Sequence, residues 1–131
     1  MVFDTSALVA ILMAEPEAER MLRAVAADAT RLVGTPTLAE SAAVMLARKG
    51  GGGEVALDAL LHRLEVRTLP MSEDAARLAR LAYARFGRGV GSPGVLNYGD
   101  CLAYGVAMAA RERLLFKGTD FARTDVEAVG Y

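Results

Sequence analysis

Met1-Val2-Phe3-Asp4-Thr5-Ser6-Ala7-Leu8 decides the fold. Its first three residues are apolar and β-leaning, and they stop abruptly at three polar ones. That pattern is a short buried strand handing polar side chains to its C-terminal end. Ser6 or Thr5 can then cap a helix over residues 7–14.

The same unit recurs outward along the chain. Pro16 suits a first helical position. Ala18, Met21, Leu22, Val25, Ala26 and Ala29 follow at helical spacing. Residues 31–35 read as a second strand stopped by Pro36, and 37–49 as a helix. Gly50 to Gly53 should break the chain, because four glycines cost too much backbone entropy inside a helix. Leu57, Leu60, Leu61 and Leu64 mark another helix, and residues 66–69 a third strand. Ser72 caps a helix running to Phe86, with Glu73 and Asp74 well placed against its dipole. Residues 87–94 hold four glycines and Pro93 and read as a mobile loop. Asn97 opens a helix to about residue 113, residues 114–117 form a fourth strand, and 126–131 can close the sheet. Strands alternating with helices predict an α/β fold of three layers, α/β/α. Its central parallel sheet has four or five strands.

The length of 131 residues allows one domain, spanning 1–131. The apolar share of 53% excludes disorder and leaves some apolar surface for interfaces. The net charge of −1 excludes a generally basic nucleic-acid clamp. Thirteen of the 15 basic residues are Arg, a bias that a GC-rich genome explains as well as phosphate binding does. The sole cysteine, Cys101, permits no internal disulfide and suits a reducing compartment. No apolar run is long enough to span a membrane, and Asp4 with no basic leader argues against a signal peptide. The expected location is the cytoplasm.

Parallel α/β sheets bind ligands beyond the carboxyl ends of their strands. Four acids fall there. Asp4 ends the first strand and Glu40 follows the second. Asp100 lies in the first turn of the helix opened by Asn97, and Asp120 just follows the fourth strand. Each has a plain structural role available: Thr37 to Glu40 has capping-box spacing, Asp100 suits a helix dipole, and Asp120 a turn. Those roles do not explain their convergence. Gathered carboxylates repel one another unless protons or cations compensate, and oxygen ligands select hard ions such as Mg²⁺ or Mn²⁺.

Val2-Phe3-Asp4-Thr5-Ser6-Ala7-Leu8 resembles the opening of PIN-domain nucleases, and Thr37-Leu38-Ala39-Glu40 their second acidic motif. Leu96-Asn97-Tyr98-Gly99-Asp100-Cys101 resembles the third, as found in VapC toxins of toxin–antitoxin pairs. Leu115-Phe116-Lys117-Gly118-Thr119-Asp120-Phe121, continuing to Thr124-Asp125, resembles the last. Tyr98 stands where the family often has Phe, and Thr119 where it often has Asn. The resemblance covers nearly the whole chain and implies a single PIN domain. It implies a metal-dependent endoribonuclease whose Asp4, Glu40, Asp100 and Asp120 hold one or two Mg²⁺ or Mn²⁺ ions. Thr5 or Ser6 would order the first acid or a water. Asn97, Thr119 and Asp125 would support the cluster. It further implies a VapB-type antitoxin that covers the site, and commonly a homodimer.

The residues constrain the chemistry separately. His62 is the only histidine, which excludes a histidine-pair ribonuclease. Hydrolysis by in-line attack of water is expected to leave a 5′-phosphate and a 3′-hydroxyl. Arg77, Arg80, Arg85 and Arg88 occupy a broad arc of one helix and, with Lys117, are candidates for the RNA backbone; the alternative is a solvated face. Cys101 reads as a small core residue. A second reading is a non-catalytic PIN-like module that binds RNA or a partner.

Overall fold

A computed structural model describes residues 1–131. In chain order the elements are β1 (Val2–Phe3), α1 (Thr5–Leu12), α2 (Ala18–Ala26), β2 (Leu32–Gly34), α3 (Thr35–Lys49) and α4 (Gly51–Arg63). They continue with β3 (Arg67–Leu69), α5 (Glu73–Phe86), α6 (Tyr98–Ala110), β4 (Leu114–Leu115) and a 3-10 turn at Phe121–Arg123. The sheet order is β3-β2-β1-β4, and every pairing is parallel. The C-terminal segment adds only an isolated bridge, Leu114 to Ala128, so the sheet has four strands.

Alternation along the strands builds the layers. Val2, Leu32 and Leu114 face a core completed by α5 and α6, with Tyr104, Phe86 and Leu96. Phe3, Val33 and Leu115 face the opposite core, completed by α1, α2 and α4, with Leu8, Met21 and Leu57. Cys101 is buried in the first core, as expected. His62 is exposed on α4. No helix is long and apolar enough to cross a membrane.

Three local readings are corrected. The cap of α1 is Asp4 itself, not Thr5 or Ser6. Helix α3 starts at Thr35, with Gly34 as cap and Pro36 in its first turn, so Thr37 and Glu40 make no capping box. The glycine run breaks the helix only at Gly50, whose φ of 64° turns the chain; α4 begins at Gly51. The physical reason lies in packing. A Cβ on Gly53 would stand 2.4 Å from the Met45 carbonyl oxygen, so the α3–α4 hairpin closes only over glycine.

Candidate active site

Parallel strands put all their C-terminal ends on one edge of the sheet, and the four acids are delivered there by different elements. Asp4 follows β1 in an extended conformation and is 3% exposed. Its Oδ2 accepts hydrogen bonds from the Ser6 amide (2.9 Å) and the Ser6 hydroxyl (2.5 Å). The same hydroxyl accepts from the Lys117 amide at 2.9 Å, which ties the end of β1 to the segment after β4.

Glu40 comes from α3. The Thr5 hydroxyl donates to its Oε2 at 2.6 Å, and Ser41 supports Thr5 at 3.4 Å. The carboxylate lies against Gly99 in the first turn of α6. Asp100 closes a true capping box: its Oδ2 accepts from the Asn97 amide, and Asn97 Oδ1 from the Asp100 amide, both at 2.8 Å. The capping role and the cleft-lining role thus coincide in one residue. Asp120 sits at the start of the 3-10 turn and accepts from Arg88 Nη2 at 2.9 Å.

Asp4, Glu40 and Asp100 line one open cleft of about 340 Å³ together with Thr5, Ser6 and Asn97. Asp120 flanks it. Burial drives the Asp4 carboxyl above its ordinary value; the Ser6 bonds oppose this, and the Glu40 charge adds to it. Burial likewise raises Asp100, to about 6, against the Asn97 bond and with the charges of Asp4 and Asp120 reinforcing it. The four acids therefore form one electrostatic cluster. No three of them stand ready-shaped as a metal ligand set.

The other expected site residues divide. Asp125 accepts from the Tyr104 hydroxyl (2.7 Å) and from Arg85 (2.8 Å), and touches none of the four acids. It anchors the chain just beyond Asp120. Thr119 is exposed, and its carbonyl accepts the Ala122 amide at 3.1 Å. Arg77 pairs with Asp74 at 2.7 Å, and Arg80 borders a recess between α5 and α6 with Tyr83 and Tyr98. Neither lines the acid cleft. Lys117 does, but its ammonium is held by Glu15 (2.5 Å) and lies 3.3 Å from Glu17, an ion-pair contact without hydrogen-bond geometry.

Arg48 and Gly99 were missed. Arg48 lines the cleft from the far end of α3. The spacing Glu40, Val44, Arg48 is the signal that marks it, because it puts all three on one helix face. Gly99 falls inside the third acidic motif, but nothing in the sequence shows its role, which depends on the Glu40 carboxylate far away in the chain.

A three-layer parallel α/β fold with dispersed acids gathered at the carboxyl edge defines a class, and the comparisons agree with it. The sequence profile of the PIN domain matches residues 1–127, and the chain belongs to the PIN-domain family. The chain is 49% identical to "Ribonuclease VapC30" of Mycobacterium tuberculosis strain H37Rv, over 98% of each chain. It is also 49% identical to "Ribonuclease VapC" of Mycolicibacterium smegmatis, over 98% of this chain and 99% of that one. Among solved structures, Mycobacterium tuberculosis VapC20, titled a "Sarcin-Ricin loop cleaving toxin", matches with a TM-score of 0.75 at 17% identity over 96% of each chain. VapBC2 from Rickettsia felis, bound to a promoter DNA fragment, matches with a TM-score of 0.73 at 19% identity, over 99% of this chain and 98% of that one.

Proposed function

We propose that this protein is an endoribonuclease toxin of the VapC type that hydrolyses phosphodiester bonds of cellular RNA. The observation that carries the reading is the electrostatic cluster itself. Asp4 is a desolvated carboxylate whose own fold supplies only Ser6 as a strong donor. Asp100 is raised by burial and by Asp4 and Asp120. Such a cluster is compensated best by a cation, and its all-oxygen donors fit a hard divalent ion.

Asp4 and Asp100 would be the principal ligands of Mg²⁺ or Mn²⁺, with Glu40 and Asp120 completing the set. When bound, the ion supplies Lewis acidity toward the phosphate and lowers the pKa of water. The chain's own part is positional. Ser6 and Thr5 fix the orientations of Asp4 and Glu40, and Asn97 fixes Asp100. The Tyr104–Asp125–Arg85 contacts hold the segment after Asp120 to α5 and α6.

The same reading assigns a VapB-type antitoxin as partner. An apolar depression of about 290 Å³ between α1, α2 and α4, lined by Ile11, Leu12, Leu22 and Leu60, suits one face of an amphipathic helix. It also assigns a homodimer working in the cytoplasm; exposed Leu81 and Tyr83 on α5 are candidates for the dimer face. A monodisperse monomer by light scattering would remove the dimer.

The deciding experiment incubates purified protein with total RNA and Mg²⁺ or Mn²⁺, then sequences the new ends. Cleavage leaving 5′-phosphates, dependent on the ion and abolished in Asp4→Asn, is expected. Products with 2′,3′-cyclic phosphates would reject the hydrolytic scheme, and absence of cleavage the function.

A further inference from the structure

We propose that Arg48 grips a phosphate of the RNA other than the one being cleaved, and so sets a minimum substrate length. The proposal rests on the ribonuclease reading above. Glu40, Val44 and Arg48 all line the cleft and repeat every fourth residue along α3. At 1.5 Å per residue, Arg48 is rooted about 12 Å along the helix from Glu40. Long helical side chains lean toward the N-terminus, which brings the guanidinium to the mouth of the cleft.

Arg48 is distinguished by its charge being unused. Lys117 is held between Glu15 and Glu17. Arg88 is paired with Asp120, and Arg85 with Asp125. No ion pair of the molecule includes Arg48, although it lines the same cleft as the carboxylates of Asp4, Glu15, Glu40 and Asp100. It is exposed, so this free guanidinium is solvated and available.

RNA approaching the acids meets like charge, and a cation at the rim offsets that repulsion. The planar fork of Arg matches two phosphate oxygens. The offset along α3 puts Arg48 out of register with the acids, so it serves a neighbouring phosphate. The bound strand accordingly runs along α3 toward the turn at Gly50.

The test uses the cleavage-deficient Asp4→Asn protein, alone and combined with Arg48→Gln or Arg48→Lys. Fluorescence anisotropy is read with a long single-stranded RNA of randomised sequence and with a randomised dinucleotide pool, whose members carry a single phosphodiester and so no neighbouring phosphate. Arg48→Gln should weaken the long RNA several-fold and lower the salt slope of its affinity by about 0.7, the loss of one single-strand phosphate contact. Arg48→Lys should restore part of that affinity. The dinucleotides should bind all variants alike. In the cleaving protein, Arg48→Gln should raise KM far more than it lowers kcat. Equal affinity for long RNA in all variants would overturn the proposal, as it would if Arg48 serves a protein partner. Equal losses for long and short RNA would overturn it too, since Arg48 would then act at the cleaved phosphate. Intact cleavage with either result leaves the ribonuclease reading standing and this one refuted.

Discussion

A methyl group on Gly99 would stand 2.5 Å from Oε1 of Glu40 and 2.9 Å from its Oε2. The contact couples α3 to the first turn of α6, which also carries Asp100. Glycine in this turn costs about 0.5–1 kcal/mol of helix stability relative to alanine, so its presence answers to the carboxylate and not to the helix. Gly99→Ala should therefore push Glu40 aside and lower nuclease rate at least tenfold while leaving the melting temperature nearly unchanged. In a Glu40→Gln background the same change should cost little more, because both variants disturb one interaction. Steady-state rates of the four proteins test this.

Ser6 does two jobs with one hydroxyl. It donates to Asp4 and accepts from the backbone after β4. Ser6→Ala leaves the buried Asp4 with a weaker donor set and frees the Lys117 amide. A stability loss of about 1–2 kcal/mol is expected, in line with removing a partner from a part-buried polar group. Thr5→Ala should cost less stability, because Thr5 serves the exposed Glu40, yet it should still lower the rate. Urea unfolding and cleavage assays on both variants separate these effects.

The raised carboxyls carry a pH signature. Asp100 binds its proton up to about 6 when folded but only to its ordinary 3.8 when unfolded, and Asp4 is shifted in the same direction. Between those limits the folded state holds more protons, so this contribution to stability is full below 3.8 and is lost as pH rises through about 6. Asp125 works in the opposite sense. Despite some burial it is held low by the Tyr104 hydroxyl and Arg85, and its contribution is lost as pH falls. In chelator, the melting temperature should decline across the upper window, and Asp100→Asn should flatten that decline. Added Mg²⁺ should raise the melting temperature well above the window and scarcely below it, where the acids keep their protons. A cation effect independent of pH would exclude these carboxylates as its ligands.

Much of the fold was legible because β1, β2 and β4 are short apolar runs ending in polar or glycine-bearing turns, and because Ser72 and Asn97 are genuine caps. The acids were legible for the same reason: each follows a recognisable strand or cap, and parallel topology does the gathering. Helix boundaries near Pro36 were not, since Pro fits equally after a strand or within a first turn. The basic arc of Arg77, Arg80, Arg85 and Arg88 was visible as a pattern, but α5 ends at Phe86, so Arg88 stands in the turn beyond the helix and not on it. Which of the others face the acids depends on how the helix crosses the sheet. Arg85 and Arg88 reach Asp125 and Asp120, whereas Arg77 stays with Asp74. Lys117 was found as a neighbour of the site, but its ion pairs with Glu15 and Glu17 depend on a tertiary contact across about a hundred residues that no local pattern encodes.

The glycine run at the start of α4 supports a sharper prediction, because its members look alike in sequence and differ in space. Gly51 and Gly52 are helical, and nothing lies within 4 Å of where a Cβ would sit. Alanine there removes backbone freedom from the unfolded chain without any clash, so Gly51→Ala and Gly52→Ala should each stabilise by about 0.5–1 kcal/mol. Gly50 has φ of 64° and turns the chain, so alanine is strained there despite open space. Gly53 has ordinary helical geometry but no room: its Cβ would meet the Met45 carbonyl at 2.4 Å and the Lys49 Cβ at 2.9 Å. Gly53→Ala must therefore pry α4 from α3 and should destabilise by more than either neighbour gains. Thermal melts of the four single variants should show two increases and two decreases. If Gly53→Ala stabilised like Gly51→Ala, the close approach of the two helices would be wrong, and so would the path of the α3 face that carries Glu40 and Arg48.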